Sequence, residues 1–234
     1  LAQNGFASVR FDKRAIGESK DAGLSEEDLR FDTYVDDAVA WIMQLRSDVR
    51  FSQVGIIGHS EGSLIGMLAA FKTCSEVFVS LSGPGRPAYE ILEEQLAGQP
   101  EAMVSEIRRI NTELRAGNTV EDVDPNLYSI FRPSVQPYLI SWYKYDPATE
   151  IAKLTCPVLI IQGTTDIQVK TSDADLLKAA TPDSKYELIE GMNHIFKDAP
   201  LDQADNLATY SNPDLPLSAP FLDALLEFSK NEFI

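Results

Sequence analysis

The chain has 234 residues, 44% of them hydrophobic, enough for one α/β domain with an insertion or for two small domains. Its 36 acidic against 20 basic residues leave a net charge of −16, which argues against nucleic acid or an anionic membrane as a partner. The two cysteines, Cys74 and Cys156, offer neither a disulfide framework nor a metal site by spacing, and no apolar run is long enough to span a membrane.

The chain opens Leu1-Ala2-Gln3-Asn4-Gly5, which reads as a helix end stopped by glycine. Phe6 to Asp12 reads as a short strand, followed by a glycine-containing loop, Arg14 to Ser19, in which Asp12 and Arg14 are expected to form an ion pair and a turn. Asp32-Thr33 can cap a helix running to about Asp48, with Tyr34, Val35, Ala38, Trp41, Ile42 and Leu45 at helical spacing.

Next comes Gln53-Val54-Gly55-Ile56-Ile57, a β-branched run, then Gly58-His59-Ser60-Glu61-Gly62, then a buried-helix pattern over Leu64 to Ala70. A serine between a buried strand and a helix, flanked by glycines two residues away, is the pattern of a nucleophile elbow. The sharp turn strains the serine backbone, and side chains at Gly58 and Gly62 would collide, so glycine is expected at both. Ser60 then stands at a helix N-terminus, where the Glu61 N–H can help hold an oxyanion.

Glu76 to Gly83 reads as a strand. From Pro84 to about Asp146 no strand pattern appears. Tyr89 to Leu96 and Ala102 to Ala116 look helical, and Asn126 to Tyr145 is rich in aromatics and prolines. Strand character returns at Cys156 to Gly163, whose unbroken apolar run implies burial on both faces and, for Cys156, a buried thiol. Ser172 is expected to cap a helix with Leu176 and Leu177 on its apolar side. Tyr186 to Glu190 reads as the last strand, Asp198 to Pro216 as a polar loop, and Ser218 to Phe233 as a closing helix. Alternating strands and helices imply an α/β fold: a mostly parallel sheet flanked by helices. The sheet core is expected at 1–83 and 148–234, with 84–147 an inserted helical cap.

A serine hydroxyl needs a base at neutral pH. Of the two histidines, His59 adjoins Ser60 and its side chain should point away from it. His194, after the last strand, is the candidate base. Asp166, after the preceding strand, is the candidate partner that orients it. The chain order Ser60, Asp166, His194 is the one an α/β-hydrolase uses.

These motifs resemble the α/β-hydrolases, and among them the bacterial serine esterases and serine aminopeptidase-like hydrolases with Gly-His-Ser-Glu-Gly at the elbow. The resemblance extends over most of the chain. It implies ester hydrolysis through an acyl-serine, a small-molecule ester of short to medium acyl chain as substrate, a cap that shapes the pocket, and no cofactor or metal. A peptidase or amidase, or a thioesterase, of the same fold is the alternative. Glu90, Glu93, Glu94, Glu101 and Glu106 are acids that could hold a free amine. A hydrolase-fold protein that binds without turnover is the reading from another class. The family usually has Arg-Gly-x-Gly-x-Ser where this chain has Arg14-Ala15-Ile16-Gly17-Glu18-Ser19. It also carries three further strands ahead of the one at Phe6, and a His-Gly loop that gives a second oxyanion N–H. Neither is in this sequence, so the chain is expected to be a fragment of a longer native protein. Without them the Phe6 strand would pair with the Val54 strand or with another chain, which leaves a homo-oligomer open. The protein is expected to be soluble, cytoplasmic or exported.

Overall fold

The computed structural model describes residues 1–23 and 25–233. The chain divides into two units. One comprises Leu1–Ser8, Ala38–Arg86 and the chain from Pro147 onward; the other comprises Val9–Asp37 and Pro87–Asp146.

The first unit is built on four strands, β1 (Ile56–His59), β2 (Phe78–Leu81), β3 (Val158–Gly163) and β4 (Lys185–Ile189). They pair in chain order and all run parallel, with Ile56 opposite Phe78, Phe78 opposite Val158 and Leu159 opposite Lys185. Parallel neighbours need crossovers. Helix α2 (Glu61–Thr73) connects β1 to β2, and a helix over Thr171–Ala180 connects β3 to β4. Every residue of β2 and β3 is buried, as their unbroken apolar runs require. On one face Val79, Leu81, Leu159 and Ile161 pack with Phe221, Leu225 and Phe228 of the helix Ala219–Phe233. Elsewhere Ile42, Val54 and Ala69 form a smaller cluster. Leu64 to Ala70 of α2 are buried without a break, so this helix is enclosed on nearly all sides. Each large apolar side chain removed from water in this way contributes about 2 kcal/mol.

The second unit is helical. Helix α1 (Phe31–Arg46) begins in it and runs on into the first unit. Helices α3 (Ala88–Gln95) and α4 (Glu101–Arg115) follow, then two short helices, Tyr128–Phe131 and Gln136–Trp142. Val104, Ile107, Ile110 and Leu114 recur every three or four residues along α4 and are buried. Phe31 is fully buried and stacks on Trp142 at 5.7 Å, with Tyr138 and Tyr145 around it. The aromatic run between Asn126 and Tyr145 is therefore largely the core of this unit.

Several expectations are corrected. Phe6 to Asp12 forms no strand. A strand needs a partner, and among the described residues β1 pairs with β2 and with no segment near Phe6. The helix expected after Asp32-Thr33 starts at Phe31. Its Phe31 N–H donates to Ser141 Oγ at 2.7 Å, and Asp32 accepts from the Tyr145 hydroxyl, so the cap comes from a residue far away in sequence. Arg14 pairs with Asp37, with two bonds of 2.6 Å, while Asp12 accepts from the Glu18 N–H. Ser172 lies inside the first turn of its helix, whose cap is Lys170; Leu177 is fully buried but Leu176 is exposed. Cys156 is only half-buried, although that burial does push its thiol up.

Candidate active site

Because β1 to β4 are parallel, the loops that leave their C-terminal ends gather at one edge of the sheet. Ser60 follows β1, Asp166 follows β3 and His194 follows β4.

Ser60 is the N-cap of α2 and has φ 55° and ψ −124°, a conformation that non-glycine residues rarely adopt. Holding it there costs about 1–3 kcal/mol, and the surroundings over-determine it. Its N–H donates to Leu81 O at 3.0 Å, tying it to β2, and its carbonyl accepts from the Ser63 N–H at 2.9 Å. A Cβ at Gly58 would lie 2.3 Å from Gly62 O and 2.7 Å from Ser63 Cα, so the turn cannot close over any larger residue there. At Gly62 a Cβ would meet nothing within 4 Å. The collision expected at both glycines is real only at Gly58, because it is the Gly62 backbone that crowds Gly58. Glu61 is the first residue of α2, and its N–H belongs to the helix turn that lacks intrahelical acceptors.

The loops after β3 and β4 are locked together. Thr164 N–H donates to Ile189 O at 3.0 Å and Thr165 N–H to Met192 O at 3.1 Å. Gly163 sits so close that a Cβ would fall 1.9 Å from Met192 O. This contact brings Asp166 and His194 together: His194 Nδ1 lies 2.8 Å from Asp166 Oδ2.

The Asp166 carboxylate is fully buried. Its Oδ1 accepts from the Gln168 and Val169 N–H groups, and its Oδ2 from Gln162 Nε2 as well as His194. Burial alone would raise its pKa. The His194 hydrogen bond and charge, with the Val169 and Gln168 amides, outweigh burial and hold the carboxyl below its ordinary value. An ionised carboxylate only accepts, so the His194 Nδ1 carries a proton, which leaves Nε2 as the ring nitrogen available to take one from a neighbour.

Other residues support this pair. Asn193 Oδ1 accepts from the Ile195 and Lys197 N–H groups, and its Nδ2 donates to Thr209 Oγ1. Asn206 Nδ2 donates to Thr165 O and Pro200 O. Lys197 is buried, with its Nζ donating to Thr209 O and Asn212 O. These bonds fasten the polar segment after Asp198 to the loops that carry Asp166 and His194. His59 approaches His194 as well: its Nε2 is 2.9 Å from His194 O, and the two rings are 4.7 Å apart.

Sequence reasoning named Ser60, Asp166 and His194 but passed over Gln162 and set His59 aside. Gln162 left a signal, since a polar side chain closing the apolar run Val158 to Ile161 of a fully buried strand must find partners. Of the five glutamates in the insertion, Glu93 accepts from Asn111 Nδ2 at 3.0 Å and Glu106 pairs with Arg109 at 2.6 Å. Among the described residues no group of three or more His, Cys, Asp and Glu side chains is arranged to hold a metal ion, and no helix is long and apolar enough to cross a membrane.

Comparison with known proteins agrees with this architecture. Residues 1–106 match the family described as serine aminopeptidase, S33. Esterase EstD of Thermotoga maritima is 25% identical over 202 residues, which cover 83% of this chain and 47% of EstD, so the chain spans about half the length of that relative. Among solved structures, Est1E of Butyrivibrio proteoclasticus with bound ferulic acid superposes with a TM-score of 0.57 at 20% identity, covering 88% of this chain and 70% of Est1E. A bromoperoxidase from Bacillus anthracis gives a TM-score of 0.55 at 20% identity, covering 94% and 80%. At such identities the structures speak for the fold.

Proposed function

We propose that this chain, whose fold is that of its α/β-hydrolase structural neighbours, hydrolyses carboxylic esters through an acyl-serine intermediate. The observation that carries the reading is the conjunction of a strained Ser60 at the N-terminus of α2 with a buried, hydrogen-bonded Asp166–His194 pair at the same sheet edge. The similarity to EstD supports the esterase class.

In this reading Ser60 Oγ attacks the ester carbonyl while His194 Nε2 takes its proton. Negative charge develops on the carbonyl oxygen, and the Glu61 N–H donates to it with the α2 dipole behind. His194 then gives the proton to the departing alkoxide. Water enters, His194 removes its proton, and the second tetrahedral intermediate collapses to release the acid and free Ser60. Asp166 holds the His194 tautomer and stabilises the imidazolium that forms in each half. Residues 84–147, the helical insertion, supply the cap in this scheme, and the substrate is a small ester of short to medium acyl chain.

A peptidase acting on free N-termini is the second reading, favoured by the description of the matching family. It would use the same triad with an amine leaving group. Glu93 and Glu106 already have partners, which weighs against those two holding a substrate amine.

Turnover of a p-nitrophenyl ester series from acetate to palmitate tests the proposal, with Ser60→Ala as control. Hydrolysis of the short esters, abolished by Ser60→Ala, is the expected result. Inert esters together with Ser60-dependent cleavage of aminoacyl-p-nitroanilides would instead establish the peptidase.

A further inference from the structure

We propose that His59, the residue just before Ser60, is a positioning residue that sets where His194 stands relative to the nucleophile elbow. The inference rests on the triad reading given above and adds a residue to it.

The geometry is direct. A carbonyl oxygen only accepts, so the 2.9 Å contact between His59 Nε2 and His194 O requires the proton to be on Nε2. Burial, and then the neighbouring His194, lower the His59 pKa to about 4, so this ring is neutral at physiological pH and keeps that tautomer. One hydrogen bond therefore joins the residue beside Ser60 to the backbone of the base, across 135 residues of sequence.

The ring also braces the base. It packs against the His194 ring at 4.7 Å and against the edge of Phe196 at 4.7 Å, and Phe196 stacks on Phe221 at 4.6 Å and 10°. Phe196 has φ 66°, so the chain reverses tightly just after His194. Asn193 holds that reversal from within, through its bonds to the Ile195 and Lys197 N–H groups. His59 is the contact that ties the reversal to the elbow. A side chain serving only to fill space there would need no donor, and phenylalanine would replace it. A ruler between elbow and base needs the N–H. Small errors in the separation of nucleophile and base are costly, because proton transfer requires them within hydrogen-bond reach.

Two variants separate the roles. His59→Phe keeps the ring and removes the donor. His59→Gln carries an amide N–H to about the place of Nε2. On an ester that the wild type turns over, His59→Phe is expected to lower kcat about 10- to 100-fold with KM within about twofold, and His59→Gln to recover most of it. The low-field proton signal of His194 Nδ1–H, followed by NMR, should move or broaden in His59→Phe and return in His59→Gln. Retention of wild-type kcat by His59→Phe overturns the inference, as does a His59→Gln enzyme as slow as His59→Phe. Should His59→Phe not fold, the nitrogen shifts of the wild-type rings decide: Nε2–H on His59 is required, and Nδ1–H overturns the inference. Absence of Ser60-dependent turnover on any ester or amide would defeat the triad reading instead, and the NMR arm would still report whether His59 holds His194.

Discussion

Asp166 and Asp173 lie seven residues apart, and both carboxylates are fully buried in the same unit, yet their surroundings are opposite in kind. Asp173 faces a permanent cation: Arg86 binds it through Nε at 2.9 Å and Nη2 at 2.7 Å, and the Gly85 N–H adds a third bond. Asp166 faces two amides, a glutamine and an imidazole, so its ionisable hydrogen-bond partner among the described residues is one that can gain and lose a proton. A buried charge closed by guanidinium is a clamp, here fixing the chain where it leaves β2. A buried charge closed by histidine leaves a proton free to be worked with. On the proposed reading, the difference separates a buried acid that serves chemistry from one that serves architecture.

Removing each carboxylate breaks the comparison most sharply. Asp166→Asn should lower kcat/KM for an ester about 10⁴-fold by favouring the wrong His194 tautomer, an activity loss far larger than its cost in thermal stability. Asp173→Ala should do the reverse. It removes the acceptor of two Arg86 bonds and one Gly85 bond and should cost about 3–5 kcal/mol in urea unfolding, with kcat per folded molecule near that of the wild type. Equal activity losses in both variants would dissolve the distinction.

Acid titration probes the histidines around Asp166 at a smaller scale. The His59 pKa falls from about 6.5 in the unfolded chain to about 4 in the fold. Between these values the unfolded state binds more protons, so stability declines as pH is lowered through that window and is unaffected above it. The loss should reach about 3 kcal/mol near pH 4 and be absent in His59→Gln. Asp166, whose carboxyl is held low, stabilises the fold above the ordinary carboxylate pKa and surrenders that contribution only at more acidic pH. Denaturant midpoints measured from about pH 7 down to about 4 would check the His59 window, and extending them below about pH 4 would reach that of Asp166.

Gln162→Leu is the mildest probe. It removes one of the two donors to Asp166 Oδ2 and leaves the amides and His194 in place. A loss of about three- to tenfold in kcat is expected, with stability changed by about 1 kcal/mol. A pH–rate profile whose acid limb shifts upward would show that Gln162 helps keep Asp166 ionised.

What could be read from the sequence follows the same division. The elbow was legible because strand, glycine spacing and helix are all local, and Ser60 follows from them. Asp166 and His194 were legible as ends of strands in chain order. The strand expected at Phe6 to Asp12 shows the limit, since composition is local but strand pairing is not. Ser141 capping the start of α1, 110 residues away, could not be read from Asp32-Thr33. Gly62 shows that a motif position need not have the steric reason assigned to it, because a Cβ there has room. His59 was set aside because its side chain should point away from Ser60, and its partner depends on how the loop reverses at Phe196.

Covalent labelling with a fluorophosphonate, read by peptide mass spectrometry, tests the central claim most directly. An activated Ser60 should be the site modified in the wild-type protein, at a rate that collapses in His194→Ala and falls steeply in Asp166→Asn. A folded protein that leaves Ser60 unlabelled, or labels it equally fast without His194, would contradict the account.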